Sequence, residues 1–259
     1  MTIETEEQLR QLRRVGELVA NCLQKMLSSL EEGMSTWDLD QIGREYLESR
    51  GARSAPEKCY QFPGATCISL DHEAAHGIPA KNKFIRKNML INVDVSAELD
   101  GYFADTGASL LFQSKDKRLQ HLCKSTRKAL RNAIAEVKAG VPLNVIGRAI
   151  EKEARKSSHK ILRNLCSHGV GQALHEDPTE IPPYYDRSDR RMIKKGMVFT
   201  IEPFLTTGSE YAEEADDHWT LVNERNFFSA QYEHTMVATP SGVILLTIPS
   251  EGEPFKAIV

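Results

Sequence analysis

Two aspartates lie in neighbouring strands of a predicted hairpin, and their chemistry gives the first hypothesis about function. Residues 89–106 predict two strands, because apolar and more polar residues alternate along them and the Asp-Gly pair at 100–101 is a strong turn signal. Asp94 lies in the first strand and Asp105 in the second. An acid within each of two mostly apolar strands indicates a site for chemistry.

The two carboxylates share a face of the hairpin for either position of a two-residue turn. A turn at 99–100 would set Asp94 directly opposite Asp105, and a turn at 100–101 would set them diagonally. A three-residue loop without a compensating bulge would separate them. Neighbouring carboxylates repel and are costly to bury unpaired, so a divalent metal between them is the best partner. The alternatives are a solvated acidic face or an arginine-bridged pair.

One histidine and two glutamates further along the chain could complete a metal site. His168 and His175 lie in a glycine-punctuated stretch, where backbone can pass close to a ligand. Glu202 ends one apolar strand and Glu233 lies within another. Four carboxylates and an imidazole suit two divalent ions bridged by water, which becomes a hydroxide near neutral pH, the nucleophile of a peptide or ester hydrolase. His76 and His175 remain to carry protons or to stabilise an oxyanion.

The elements that must position these residues begin with two helices. The apolar residues of the first recur at three- and four-residue steps, and Gly33 provides the stop. Those residues are Leu12, Val15, Val19, Cys22, Met26 and Leu30. A second helix follows, with Ser35 or Thr36 as its cap and Gly51 at its end.

The same arrangement recurs about 107 residues later, which predicts two similar halves, 1–112 and 113–250, in one domain of residues 1–259. Gly140 then matches Gly33, and one further residue of shift aligns Glu202 with Asp94. We therefore expect an α/β (α+β) fold with a pseudo-twofold repeat of helix-helix-hairpin halves. Their strands would form one curved antiparallel sheet with helices on its outer face, and the acids would meet near the axis.

The last segment predicts another hairpin. Alternating residues from 228 to 235 form its first strand, and the turn Pro240-Ser241-Gly242 leads into residues 243–246. Glu233 is then a mid-strand acid. His234 follows it directly and faces the other side, where packing is its expected role.

Composition limits the function further. The chain has 259 residues, 41% of them hydrophobic and 27% charged, with a net charge of −3. Charges of both signs are interspersed, which argues against a nucleic-acid surface and favours a small or peptidic substrate. The five scattered cysteines indicate reduced thiols. An acidic start and the absence of a bilayer-length apolar run predict a cytoplasmic protein with no membrane contact. A monomer is favoured, because nothing in the sequence marks an apolar interface stripe.

Five motifs in order resemble the type I methionine aminopeptidases, which are metallopeptidases of the pita-bread fold. The resemblance runs from the N-terminal helix to about Thr247, and the pita-bread fold that it implies agrees with the internal repeat. The motifs are His76-Gly77-Ile78-Pro79, Asp94 with Asp105, His168-Gly169-Val170-Gly171 with His175, Thr200-Ile201-Glu202-Pro203, and Gln231-Tyr232-Glu233-His234-Thr235.

The resemblance implies a role for each candidate residue. Asp105 and Glu233 would bridge two ions, and a hydroxide held by the ions would attack the carbonyl of an N-terminal methionine. Glu202 would shuttle the proton, His175 would stabilise the tetrahedral intermediate, and His76 would contact the scissile amide. The full set of implied ligands is Asp94, Asp105, His168, Glu202 and Glu233. This donor set suits Co, Mn, Fe or Zn, and cellular supply would decide among them.

The resemblance also implies a side-chain pocket whose members are mostly apolar and soft, as a thioether requires. Ala75 stands where many relatives have Cys or Val, and Leu174 stands where an aromatic residue is common, so both bear on pocket width. The implied pocket residues are Cys59, Phe62, Cys67, Leu174 and Trp219.

The predicted function is removal of the initiator methionine from nascent proteins when the second residue is small. The partners are then N-terminal methionyl peptides. For the basic stretch 187–195, transient ribosome association is an alternative to a solvated face. The rival functions are an X-Pro aminopeptidase or prolidase, which usually carries a substantial N-terminal domain, a non-catalytic peptide-binding member of the fold, and a carboxylate-bridged phosphoesterase.

Overall fold

The helices form two successive pairs with a short helix between them. The structure is a computed structural model that describes residues 1–224 and 226–251. Its helices are α1 (Glu6–Ser28), α2 (Thr36–Glu48), α3 (Ala55–Tyr60), α4 (Lys117–Glu136) and α5 (Val145–Lys156). Within the described ranges, none of them combines the length and apolar content that crossing a bilayer needs. The predicted domain of residues 1–259 includes residues 225 and 252–259, which lie outside the described ones.

The strands are short except for one long hairpin. Those of the first half are β1 (Arg53–Ser54), β2 (Cys67–Leu70), β3 (Glu73–Ala75), β4 (Leu90–Leu99) and β5 (Tyr102–Leu111). The second half begins with β6 (Lys160–Ile161), β7 (Ser167–Gly169), β8 (Glu176–Ile181), β9 (Val198–Ile201) and β10 (Phe204–Thr206). It continues with β11 (Ala212–Glu214), β12 (Leu221–Asn223), β13 (Ser229–Gln231), β14 (His234–Thr239) and β15 (Gly242–Leu245).

The first helix pair forms as the apolar spacing predicts. Thr5 caps α1 through a reciprocal arrangement with Gln8, and the helix packs against β4 and β5. Its predicted apolar residues are buried except for Leu30, which lies beyond the end of the helix and is partly exposed. Gly33 follows with a φ of +88°, a left-handed conformation that glycine adopts without strain. The side chain of Ser35 caps α2, which decides between the two predicted caps.

The hairpin of β4 and β5 turns at Asp100 and Gly101, whose φ values of +52° and +84° fit the tight turn typical of Asp-Gly. Leu99 pairs with Tyr102, so Asp94 lies opposite Gly107 and Asp105 lies opposite Ser96. The two acids are therefore diagonal neighbours on one face. The alternate residues of β4 face α1 in the core, which leaves the acids on the face away from the helices.

The two halves meet through buried hydrogen bonds between β5 and the segment around β14. The Thr235 hydroxyl accepts from the Asp105 amide at 3.0 Å and donates to the Asp105 carbonyl at 2.7 Å. The amide of Glu233 donates to the carbonyl of Gly107 at 2.9 Å. The predicted curved antiparallel layer thus consists of two main strand groups, β1-β4-β2 with β5 and β15-β14-β9-β7-β8, joined at this seam. The predicted fold is confirmed.

One detail of the predicted strands is wrong. Glu233 is not within a strand, because β13 ends at Gln231 and pairs with β10, whereas β14 begins at His234 and pairs with β9. The chain changes sheets at this point and leaves Glu233 in the gap. Glu202 follows β9 directly, whereas its counterpart Asp94 lies in the middle of the longer β4.

Candidate metal centre and substrate cavity

The five candidate ligands converge from both halves of the fold. The first half contributes Asp94 and Asp105 from its hairpin, and the second contributes His168 from β7 and the two glutamates. The His168 Nε2 atom lies 3.8 Å from Asp105 Oδ2 and 3.6 Å from Glu202 Oε1. Ligand atoms of Asp105, His168 and Glu233 all lie within 4.8 Å of one another. All three of these residues are buried.

Two buried carboxylate oxygens in this cluster have no hydrogen-bond partner among the described residues. They are Oδ1 of Asp105 and Oε1 of Glu233. Buried polar atoms are nearly always satisfied in folded proteins, so an unpaired oxygen on each of two neighbouring acids requires an explanation. A divalent cation is the partner that satisfies both oxygens and offsets the repulsion of the acids. The residues present therefore fit a metal site.

An amide side chain between two of the acids adds order to the cluster. Gln231 Nε2 donates to Glu233 Oε2 at 3.1 Å and lies 3.5 Å from Asp94 Oδ2. Its oxygen accepts from Asn92 Nδ2 at 2.8 Å, which fixes the orientation of the amide. A Cβ at Gly107 would lie 2.3 Å from the Gln231 oxygen, so glycine is required there for the amide to fit.

His168 is held in the form that a metal ligand needs. Its Nδ1 lies 3.0 Å from the carbonyl of Gly169, which accepts the ring proton and leaves the lone pair of Nε2 towards the acids. Thr200 supports the same group, because its hydroxyl accepts from the His168 amide and donates to Glu202. Burial, with the nearby His175, lowers the pKa of His168 to about 3, so the ring is neutral at physiological pH.

The acids of the cluster resist ionisation as long as nothing positive lies among them. Burial raises the pKa of Asp105 to about 6. Burial, followed by the charge of Asp105, raises the pKa values of Asp94, Glu202 and Glu233 well above their usual range. Such a cluster favours cations strongly, because a bound cation compensates the same charges that otherwise have to be protonated.

A cavity of about 360 Å³ opens onto the acids. Its soft, apolar wall includes Phe62, Cys67, Leu174 and Trp219, and the Phe62 and Trp219 rings meet edge to face at 5.2 Å. Ala75 also lines it. The volume and the lining of this cavity suit a ligand with a flexible apolar side chain, bound next to the acids.

Of the residues predicted to form the pocket, Cys59 is not brought to the cavity. The structure places it on the surface and outside the cavity lining. On α3 the cavity is lined by Pro56 and Tyr60, which are four residues apart and share one face of the helix. Cys59 falls on another face of the same helical turn.

His76 and His175 both line the cavity. His76 adopts a φ of +52°, a left-handed conformation that is costly for a residue with a side chain and is common at functional sites. Burial lowers the pKa of His76, and burial followed by the charge of His76 lowers the pKa of His175. The His175 ring packs against His168 with 4.1 Å between centroids. His234, by contrast, bonds Thr247 through Nδ1 at 2.8 Å in the interior.

Sequence reasoning missed two residues of this site. Gln231 was visible only as part of a motif, although its spacing of two from Glu233 is a usable signal. Tyr60 was missed together with α3, although Ser54 followed by Pro56 and Glu57 is a helix-start signal. Tyr60 bonds His175 Nδ1 through its hydroxyl at 2.6 Å.

The fold and the acid cluster define a metallopeptidase, and comparison with known families agrees. The profile of Metallopeptidase family M24 matches residues 10–240, so the chain belongs to that family.

Within the family, the relatives of this chain include methionine aminopeptidases. The chain is 42% identical to methionine aminopeptidase 2 of Bacillus subtilis over 95% of this chain and 99% of that protein. It is 39% identical to a methionine aminopeptidase of Staphylococcus epidermidis over 95% and 98%. The structure of a methionine aminopeptidase from Thermotoga maritima matches with a TM-score of 0.91 at 29% identity, over 95% of this chain and 99% of that one.

A prolidase from Pyrococcus furiosus shares the fold alone, with a TM-score of 0.76 at 19% identity and 66% of that chain covered. The predicted resemblance is therefore confirmed, and the methionine aminopeptidase prediction is supported over the prolidase alternative.

Proposed function

We propose that this protein releases the initiator methionine from newly made polypeptides whose second residue is small. The observation that carries the proposal is the pair of unpartnered buried oxygens, on Asp105 and Glu233, beside a soft-walled cavity. A metal-dependent peptidase needs such an acid cluster next to a recognition pocket. The relatives named methionine aminopeptidase support methionine as the recognised residue.

The five proposed ligands, Asp94, Asp105, His168, Glu202 and Glu233, would hold two divalent ions. When bound, the ions supply an acidified water and Lewis acidity towards a carbonyl oxygen. Neutral His168 supports this proposal, because its Nε2 lone pair is available without loss of a proton. The ions are Co, Mn, Fe or Zn, since mixed carboxylate and imidazole donors suit each of them.

The proposed substrate pocket takes the methionine side chain against Phe62, Cys67 and Trp219. Apolar and sulfur-bearing walls suit a thioether, which is polarizable and unbranched. Leu174 and Ala75 are the residues that we expect to set the pocket width. Both residues line the cavity; the small alanine gives room, and the aliphatic Leu174 leaves space that a ring would fill.

The chain's own groups perform the remaining steps in this proposal. His76 contacts the nitrogen of the scissile amide, and His175 donates to the carbonyl oxygen as negative charge develops on it. Glu202 accepts a proton at its carboxylate and later returns it to the leaving amine. The position of Glu202 supports this role, because its carboxylate lies beside His168 and lines the substrate cavity.

Peptide cleavage tests the function directly. The purified protein is assayed with Met-Ala-Ser, Met-Pro-Ser, Met-Lys-Ser, Leu-Ala-Ser and Ala-Ala-Ser, with and without a chelator. We expect methionine release from the first two peptides only, with loss on chelation and recovery on adding Co(II) or Mn(II). Equal release of leucine, or full activity after chelation, would contradict the proposal.

The partners and location complete the proposal. The protein acts as a monomer in the cytoplasm, and the stretch 187–195 contacts ribosomes transiently. Exposure of Arg187, Arg190 and Lys194 supports a basic contact surface. We expect the protein to co-sediment with ribosomes in a salt-sensitive manner, and we expect reversal of these charges to abolish the co-sedimentation. Light scattering measures the molar mass and so tests whether the protein is a monomer.

A further inference from the structure

One tyrosine outside the ligand set bonds a residue of the proposed machinery. The Tyr60 hydroxyl lies 2.6 Å from Nδ1 of His175, and the two rings are 5.6 Å apart at a tilt of 53°. Tyr60 ends α3, which Ser54 caps at its start and Gln61 closes in a left-handed conformation. The helix therefore presents the hydroxyl from a fixed backbone, although Tyr60 as a residue is 46% exposed.

The chemistry of the two groups decides which one donates. A phenol is a stronger acid than a neutral imidazole N–H, and an imidazole nitrogen is a stronger base than a phenol oxygen. The favoured arrangement therefore has the Tyr60 O–H donating to Nδ1. Burial, followed by the charges of Cys59 and Asp105, raises the pKa of Tyr60, which keeps its proton in place.

This hydrogen bond determines the proton on the other nitrogen of His175. A neutral imidazole carries one proton, and a ring that accepts at Nδ1 must carry it at Nε2. The ring lines the cavity and packs against His168, so Nε2 is the nitrogen left for a substrate. A neutral histidine whose ring nitrogens have no fixed partner exchanges freely between its two tautomers, and His175 without the Tyr60 hydroxyl would do the same.

We propose that Tyr60 is a positioning residue that holds His175 as the Nε2–H tautomer, ready to donate to the scissile carbonyl oxygen. This inference rests on the proposed function, since it assumes that His175 meets an oxyanion. A preset donor avoids the cost of selecting the tautomer at each turnover. If Tyr60 served only as a wall of the cavity, its ring would matter and its hydroxyl would not.

Nitrogen NMR of the histidines tests the tautomer without reference to activity. The 15N shifts of Nδ1 and Nε2 distinguish a protonated from a bare nitrogen, and loss of a signal in His175→Gln assigns the ring. The sample is the Zn(II)-loaded protein, which is diamagnetic, and the chelated protein repeats the measurement. We expect Nε2–H in the unaltered chain, a mixture of tautomers in Tyr60→Phe, and the unaltered pattern in the matched control Tyr211→Phe.

Kinetics then tests the positioning role. We expect Tyr60→Phe to lower kcat about fivefold, the effect of losing one hydrogen bond, with KM changed less than about twofold. Tyr60→Leu, which also removes the ring, should lower kcat equally and raise KM. Tyr211→Phe should match the unaltered protein in both constants.

The outcomes separate this inference from the function itself. A His175 that carries its proton on Nδ1, or a Tyr60→Phe variant with unchanged tautomer or unchanged kcat, would overturn the role of Tyr60. If the expected shifts appear while the unaltered protein releases no methionine, the proposed function fails and the tautomer assignment stands.

Discussion

Individual residues of the acid cluster are arranged for charge that protein groups alone do not balance. Asp94 and Glu233 have Gln231 as a common neighbour, yet an amide can donate only two hydrogen bonds and carries no charge. His168 is neutral and faces the acids with a lone pair. At the residue scale, the metal-free acid cluster therefore destabilises the folded protein, and a bound cation would remove this destabilisation.

Glu233→Gln tests that consequence at the position proposed to bridge the ions. The amide keeps the shape of the side chain but removes a negative charge, so we expect turnover to fall on the order of 100-fold or more. The fold should persist, because one source of buried repulsion is removed. The peptide assay and circular dichroism measure the two effects, with the exposed Glu213→Gln as control. Unchanged activity in Glu233→Gln would exclude the bridge.

The pH dependence of the metal-free protein follows from the raised pKa values of its buried acids. Folded Asp94, Glu202 and Glu233 keep protons that the unfolded chain loses near pH 4, so stability is lost as pH rises through the folded pKa values. Neutral buried histidines such as His168 act oppositely, but only below about pH 6.5, where unfolded histidine binds a proton.

The acids therefore dominate above about pH 6.5. We expect the Tm of the chelated protein to fall as the pH rises above about 6.5, and the Tm of the Zn(II)-loaded protein to fall far less. Scanning calorimetry of both forms gives the comparison, in which titrations common to the two forms cancel. Parallel curves for the two forms would show that these acids are not the metal ligands.

Elements of the fold differed in how well the sequence predicted them. The long hairpin was accessible because period-two alternation and Asp100-Gly101 both act locally, and the observed diagonal register is one of the two that a two-residue turn allows. The position of Glu233 was not accessible. Its strand breaks where the chain changes partner from β10 to β9, and pairing partners are a property of tertiary structure. The helix α3 was missed because six residues are too few to show an apolar period.

Gly107 on β5 shows how one element constrains another. A Cβ there would lie 2.3 Å from the oxygen of Gln231 and would displace the amide from Glu233. We expect Gly107→Ala to reduce metal affinity roughly 10-fold to 100-fold, as loss of a supporting partner does, and stability by about 1–3 kcal/mol. Isothermal titration and urea unfolding measure both quantities.

The double variant Gly107→Ala with Gln231→Ala serves as the control for this clash. Removing the amide removes the steric conflict, so stability should recover in part while metal affinity stays low. A double variant that is no more stable than the single one would show that the alanine disturbs β5 itself.

At the scale of the whole molecule, the seam between the halves holds the site together. The Thr235 hydroxyl satisfies both the amide and the carbonyl of Asp105. We expect Thr235→Val, which leaves both backbone groups unpaired in the interior, to destabilise the protein by about 2 kcal/mol or more in urea unfolding. Thr239→Val on the same strand loses two partly exposed bonds, one to the Gly242 carbonyl and one from the Ser241 amide. Water can replace both, so the cost should be less than about 1 kcal/mol. Equal losses of stability in the two variants would show that the hydrogen bonds at the seam contribute no more than an exposed bond does.

The single-domain organisation of residues 1–259 with halves 1–112 and 113–250 stays a prediction. The repeated helix pairs and the seam at Thr235 support it, because each half contributes part of one acid cluster. The internal repeat was readable from the sequence through matched glycines such as Gly33 and Gly140. The seam itself was not readable, since its hydrogen bonds join residues that are about 130 positions apart.

The division of the proposed ligands between the halves also bears on the order of events during synthesis. When the nascent chain contains Asp94 and Asp105 but not yet the other three proposed ligands, these two acids alone bind a cation only weakly. Glu233 is the last of the five to be translated. Tight cation binding by the proposed ligand set therefore has to wait until the second half has emerged and folded onto the first.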